Sequence, residues 1–168
     1  MRTALLALLS LTLAASAAAA PAPHIPITSF EQLAKPLPLP YDEQANARAV
    51  VAAARARARA HHKLLLIDLG GNWCLDCRLL AGTMELPQLR KFLAAKYEIA
   101  TIDVGRFDKN LDIPAHYGVT DRLEGVPAVL IVDPRTDRLL NAGHIAALAD
   151  ARSMSPQALA DWLASWTK

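Results

Sequence analysis

The sequence predicts an α/β domain, on three observations. Helical and strand-like patterns alternate along most of the 168 residues. The run Leu64-Leu65-Leu66-Ile67-Asp68-Leu69 is too uniformly apolar to be half-exposed, and reads as a strand covered on both faces. The only two cysteines, in Trp73-Cys74-Leu75-Asp76-Cys77, follow that strand directly and open a helical pattern. The predicted order is helix, strand, helix, strand, helix, strand, strand, helix, with no internal repeat.

Residues 1–20 carry a single charge at Arg2, an apolar stretch over 4–9 and another from Leu11, and then a run of small residues. They read as a secretory signal peptide, with Ala15-Ser16-Ala17 and Ala18-Ala19-Ala20 both fitting the small-x-small cleavage pattern. An uncleaved anchor is the alternative, disfavoured by the short span and its alanine-rich end. No cysteine lies near the cleavage pattern to take a lipid, so no stable membrane insertion is expected after cleavage. About 148 residues then remain, which suits one domain with one core. Their near-neutral charge gives no reason to expect a nucleic-acid partner. Small exported domains often brace themselves with several disulfides; a lone C-x-x-C is instead suited to exchange.

Residues 21–41 are rich in proline and are expected to form an extended arm, partly laid on the domain surface, with a proline-recognition ligand as the alternative. The domain proper is placed at 42–168. Asp42 is the expected N-cap of an alanine-rich helix to about His61, with Ala47, Val50, Val51, Ala54 and Ala58 on its apolar side. Its arginines do not form one stripe and suit a solvated face. His61 and His62 suit the helix end better than a metal. After strand 64–69, Gly70-Gly71-Asn72 permits a tight turn. The helix from Cys74 carries Leu79, Leu80 and Met84, is disturbed at Leu86-Pro87, and resumes with Leu89, Phe92 and Leu93, Pro87 fitting a first helical turn. Residues 97–104 read as a second buried strand and 108–117 as a short helix limited by Pro114. A polar loop over 118–125 leads into Val126-Pro127 and the strand 128–132. The turn 133–137 starts an antiparallel return at 138–140. Residues 145–153 are ambiguous. Ser155 caps a last helix with Pro156 at its first position, burying Leu159, Trp162 and Leu163.

Three residues stand out chemically. A thiol in the first turn of a helix meets unpaired N–H groups and the positive end of the helix dipole, which favour the thiolate, and a second thiol one turn on can displace whatever the first captures. Buried structural cysteines, half of a zinc site and an inert disulfide are the competing readings. Asp68 also asks for a reason, because a carboxylate inside an apolar strand is costly unless partnered or protonated. Six residues before Cys74, it is expected beneath the cysteine pair.

From about residue 42 to 168 the chain resembles the thioredoxin-like superfamily, and its signal sequence makes it similar to exported bacterial, periplasmic members. The resemblance rests on the strand with Asp68, the motif Trp73-Cys74-Leu75-Asp76-Cys77, and Gly125-Val126-Pro127 ahead of Ala128-Val129-Leu130-Ile131-Val132. It implies a thioredoxin-like fold, with a central mixed β-sheet flanked by helices on both faces. It also implies a cis peptide at Val126-Pro127 and an extended substrate bonded to the Val126 backbone beside the cysteines. The chain departs from many members in having Leu75-Asp76, not Gly-Pro, between the cysteines, and in its long 120–124 loop and proline arm.

The expected activity is thiol–disulfide exchange on exported protein disulfides without a cofactor or metal. Cys74 attacks, Cys77 resolves, Asp68 takes the Cys77 proton, and Trp73 restricts water over the pair. At ~8 Å and an effective dielectric near ~20, the Asp76 charge disfavours the Cys74 thiolate by ~2 kcal/mol. Arg78 opposes it at similar range, while buried Asp68 disfavours thiolate too. No strongly oxidising poise follows, so a reductase or reducing-side exchange protein is expected, supplied with electrons by a thiol-transferring membrane partner. A copper(I)-handling module, a non-catalytic binding domain and peroxide reduction through Cys74 are the alternatives.

Overall fold

The computed structural model describes residues 20–167. Apart from Ala20, the expected signal peptide lies outside the described residues. The helices are α1 (Ala47–Ala60), α2 (Leu75–Met84), α3 (Pro87–Lys96), α4 (Asp112–His116) and α5 (Pro156–Ser165), and the strands β1 (Leu64–Gly70), β2 (Tyr97–Asp103), β3 (Ala128–Asp133) and β4 (Arg138–Leu139). The sheet has the order β2-β1-β3-β4. β1 runs parallel to β2 and antiparallel to β3, which pairs antiparallel with β4, so the sheet is mixed.

Strand periodicity divides the core between two faces. Leu65, Ile67 and Leu69 of β1 pack with α1 through Ala47, Val51, Ala54 and Ala58, and with Ile113 of α4. Leu66 points the other way, to Leu80 of α2, Leu89 and Leu93 of α3, and Leu159 and Leu163 of α5. β1 is therefore covered on both sides, as its composition predicts. Asp68 shares the parity of Leu66 and is 2% exposed. Pro87 opens α3 in its first turn, and the Ser155 hydroxyl accepts from the Ala158 N–H at the start of α5, both as expected.

Three local expectations change, and the ambiguous stretch takes a definite form. Asn46, not Asp42, caps α1: its side-chain oxygen accepts from Ala49 N–H at 3.1 Å, while the Asp42 carboxylate closes its own turn on Gln44 N–H. The helix expected over 108–117 is confined to α4, because Phe107 and Asn110 adopt left-handed backbone (φ 67° and 53°) ahead of it. β4 is two residues long. Beyond it the Asn141 side chain replaces strand bonds, accepting from Ile131 N–H and donating to Val129 C=O. Residues 145–153 form turns that end in a 3-10 turn, Ala151–Ser153.

The proline-rich segment contributes to the core itself. It contains a 3-10 turn, Phe30–Gln32, and buries Ile25, Phe30, Leu33 and Leu37 against the α2/α3/α5 side. Each such side chain stabilises by about 1.5–3 kcal/mol, and four together are comparable with the net stability of a whole domain. Hydrogen bonds from Ala20 N–H to Thr167 C=O and from Ile25 N–H to Gln157 Oε1 tie the segment to the end of the chain. The alternating prolines suppress helix and strand, while the apolar residues between them still find the sheet-covering helices. Among the described residues no helix is long and apolar enough to cross a membrane.

Candidate active site

β1 ends at Gly70, and the turn 71–73 delivers Cys74 to the N-cap of α2, where the Gly71 carbonyl accepts from Cys74 N–H at 3.0 Å. Cys74 and Cys77 form a disulfide with Cα atoms 5.3 Å apart. Cys74 Sγ accepts the Cys77 N–H at 3.1 Å, so the first turn of α2 aims a donor and its dipole at this sulfur. Cys77 is fully buried and Cys74 5% exposed. Of the two, Cys74 is the one a substrate can reach.

Val126 faces this sulfur, its carbonyl oxygen 3.4 Å from Cys74 Sγ. The Val126-Pro127 peptide is cis. Neither the N–H nor the C=O of Val126 has a backbone hydrogen-bond partner among the described residues. That leaves a free backbone edge beside the sulfur, suited to pairing with an extended chain. Trp73 and Leu75 flank the cysteine at 42% and 44% exposure. The Trp73 indole donates to Gly105 C=O at 2.7 Å, which turns it toward the loop after β2 and not into the core.

Asp68 sits behind the pair. Burial pushes its carboxyl up to about 7, although the Tyr41 hydroxyl pulls it down by donating to both oxygens at 3.0 and 3.1 Å. Burial, the Asp68 charge and their hydrogen bond push the Tyr41 phenol up, so it remains a donor at every physiological pH. Tyr41 is pinned by a two-way bond: its N–H donates to Asn72 Oδ1 at 3.1 Å, and Asn72 Nδ2 donates back to Tyr41 C=O at 2.8 Å. Its hydroxyl and Cys77 Sγ both close on Gly70, where a Cβ would stand 2.8 Å from the sulfur and collide with the phenol. The absent side chain at Gly70 is what lets the phenol, the sulfur and the β1 terminus meet.

The charges around the motif differ from the expected balance of Asp76 against Arg78. Asp76 is buried, and Arg152 from the 3-10 turn before α5 grips both its oxygens, Nε at 3.0 and 3.1 Å and Nη2 at 2.6 Å, while Arg152 N–H adds a bond at 2.9 Å. Burial pushes the Asp76 carboxyl up, but Arg152 outweighs it and holds it below the ordinary carboxylate value. Arg78 turns away to the carbonyls of Leu37 and Pro38. The negative charge is thus neutralised by a residue 76 positions away.

The structure therefore brings Cys74, Cys77, Asp68, Val126, Pro127 and Trp73 into one neighbourhood, and gives Arg78 a bracing role. Sequence reasoning missed Tyr41 and Arg152. Tyr41 follows Pro40 with no spacing that links it to Asp68, and Arg152 lies in the ambiguous stretch. Among the described residues no group of three or more His, Cys, Asp or Glu side chains could hold a metal ion.

A family model described as thioredoxin-like matches residues 46–134. The crystal structure of a disulphide isomerase from Xylella fastidiosa Temecula1 is similar at 38% identity and a TM-score of 0.68, covering 76% of this chain and 96% of its own. A protein of unknown function from Pseudomonas aeruginosa aligns at 20% identity over 70% of this chain and 79% of its own, with a TM-score of 0.38. An HIV epitope-scaffold aligns at 22% identity over 58% and 62%, with a TM-score of 0.35. No curated protein matches the chain.

Proposed function

This chain belongs to the thioredoxin-like family, and from that premise we propose that it is a thiol–disulfide oxidoreductase of the reducing side, a reductase or isomerase-type exchange protein acting on exported protein disulfides through Cys74 and Cys77. One observation carries the reading: Cys74 Sγ lies at the N-cap of α2, beside the free backbone edge of Val126, with the buried Cys77 one turn behind it.

The reduced pair acts in two steps. Cys74 as thiolate attacks one sulfur of a substrate disulfide, forming a Cys74–substrate disulfide and releasing the other substrate sulfur as thiolate. Cys77 then gives its proton to ionised Asp68 and attacks Cys74 Sγ. The Cys74–Cys77 disulfide forms, and the second substrate thiolate leaves. Two electrons pass from the pair to the substrate, and a dithiol partner returns them. Tyr41, bonded to Asp68 and in contact with the Cys77 side of Gly70, holds the carboxylate in place for this transfer.

The reducing direction is supported by the charges. Cys74 draws on the α2 terminus while Arg78 is turned away and Asp68 is buried behind the pair, so even with the opposing Asp76 charge masked by Arg152 the thiolate is not stabilised as strongly as an oxidant requires. The similarity to a protein described as a disulphide isomerase agrees with this. A reduction potential well below about −150 mV is expected, and a value near or above it places the protein with the oxidants.

Trapping tests the activity. Cys77→Ser, expressed with its leader, should accumulate proteins disulfide-linked to Cys74, and Cys74→Ser should accumulate none. If Cys77→Ser captures nothing while copper co-purifies with the wild-type protein, the exchange reading is overturned. Export has its own measurement. Protein recovered from a periplasmic fraction should begin after Ala17 or Ala20, where the small-residue pattern lies. Full-length chain confined to the cytoplasm would contradict it.

A further inference from the structure

Beside the cysteines, Arg106, Phe107 and Arg122 take no part in the exchange steps, yet they are built onto the residue that precedes Cys74. The Phe107 ring meets the Trp73 indole edge-on at a centroid separation of 6.2 Å. The Arg106 guanidinium carbon lies 4.3 Å from the centre of the Trp73 ring, and that of Arg122 lies 4.8 Å from the centre of the Phe107 ring. Stacking holds a guanidinium by its face and leaves its N–H edge available for a planar anion.

Neither guanidinium has used that edge. Among the described residues Arg48, Arg55, Arg57 and Arg152 are in salt bridges and Arg59 and Arg78 donate to backbone carbonyls; Arg106 and Arg122, like Arg90, Arg135 and Arg138, are in none of these pairs, but only Arg106 and Arg122 are held against aromatic rings. Both arginines and Phe107 line an open cavity of about 350 Å³ together with Leu111, Val119 and Leu123, with Asp121 as its acidic side chain. Leu123 leads along the chain to Val126, whose free backbone edge faces Cys74. A peptide laid along Val126 with its disulfide at Cys74 therefore runs past a shelf that is apolar at its base and cationic at its rim.

We propose that this shelf selects the substrate: the segment presenting its disulfide to Cys74 carries an aspartate or glutamate near the reacting cysteine, whose carboxylate docks on Arg106 and Arg122. The inference rests on the thiol–disulfide reading above and adds to it a substrate class, acidic disulfide-bearing peptide. A carboxylate fits the donor geometry, because each guanidinium offers two parallel N–H groups to a planar acceptor. A lysine in the same place meets two unpaired cations and is rejected. The selection is electrostatic and half-exposed, so added salt weakens it.

The test compares three peptides of equal length, each containing one disulfide, with glutamate, glutamine or lysine flanking the reacting cysteine, and a small neutral disulfide as reference. The reduced wild-type protein should reduce the glutamate peptide at least tenfold faster than the lysine peptide, with glutamine between, and the ratio should shrink toward one at 1 M salt. Arg106→Ala/Arg122→Ala should bring the ratio to within twofold, and Arg106→Glu/Arg122→Glu should invert it. The ratio is taken within each variant, so a general loss of stability or reactivity cancels. Equal rates on the three peptides, with the neutral disulfide still reduced, overturn the shelf and leave the exchange activity standing. Failure to reduce any disulfide, the neutral one included, overturns the activity and the shelf with it.

Discussion

Replacing Asp68 by asparagine should give a protein that resolves mixed disulfides about 100-fold more slowly and yet is more stable than wild type at pH 8. Both effects come from the same buried carboxyl, raised from 3.8 to about 7 by desolvation. Below about pH 4 the group is protonated in folded and unfolded chains alike. Between there and about 7 the unfolded chain has lost the proton while the folded chain keeps it, so stability falls as pH rises through that interval. Above about 7 both are ionised and the penalty is constant, at ~4 kcal/mol for a gap of this size. Asparagine removes the slope. At pH 8 the variant should gain about 1–3 kcal/mol, the remainder being lost because its amide N–H groups lack a buried acceptor. The kinetic loss follows from removing a positioned proton acceptor, an effect of about 10²–10⁴. In wild type, resolution should accelerate as pH rises through about 7, where Asp68 becomes able to accept. Tyr41→Phe removes the bond that pulls the carboxyl down and should move that midpoint upward. Denaturant unfolding of the oxidised protein at several pH values, with stopped-flow thiol release, measures both effects. Parallel stability curves for wild type and Asp68→Asn would contradict the argument.

Arg152→Ala is expected to weaken the protein and slow its first chemical step. The substitution leaves the Asp76 carboxylate buried with one backbone N–H in place of four donor contacts. Removing one partner of a fully buried pair costs about 3–5 kcal/mol. The Arg152 side chain is 54% exposed, so water compensates in part and about 1–2 kcal/mol is expected. The unmasked negative charge, ~8 Å from Cys74 at an effective dielectric near ~20, opposes the thiolate by ~2 kcal/mol, equivalent to more than one pKa unit. Attack at pH 7 should then slow by up to about tenfold, the larger loss of thiolate fraction being partly offset by the greater nucleophilicity of a more basic thiolate. Asp76→Asn combined with Arg152→Ala should recover most of the rate, because the charge is gone with its partner. Thiolate absorbance against pH reads the Cys74 titration directly. An unchanged titration in Arg152→Ala would show that Asp76 does not act on Cys74.

The parts of this site that neighbours in sequence create were legible before the structure. A strand running through Gly70-Gly71-Asn72 into a C-x-x-C helix places Cys74 at the N-cap, Pro87 marks the break between α2 and α3, and Ser155 marks the start of α5. Each is a local signal of turn, cap or period. Val126-Pro127 was legible through family resemblance. What stayed hidden is pairing across distance. Tyr41 meets Asp68 over 27 positions and Arg152 meets Asp76 over 76, and no periodicity encodes either. Asp76 and Arg78, two positions apart, invited a local cancellation that the fold does not use. The arm was hard to read for a related reason. Its prolines forbid regular structure, and regular structure is the quantity that sequence patterns report.

The N-terminal segment that supplies Tyr41 also sets the order in which the site is completed. Its bond from Ile25 to Gln157 spans 132 positions, and closing so large a loop carries an entropic barrier that short-range contacts do not. In a chain made from its N-terminus, this segment is present well before α5, which holds it through Gln157. The cysteine helix can form locally long before that. The phenol that orients the proton acceptor is placed by the shorter closure onto Asn72, 31 positions away, and the Ile25–Gln157 bond fastens the segment afterwards.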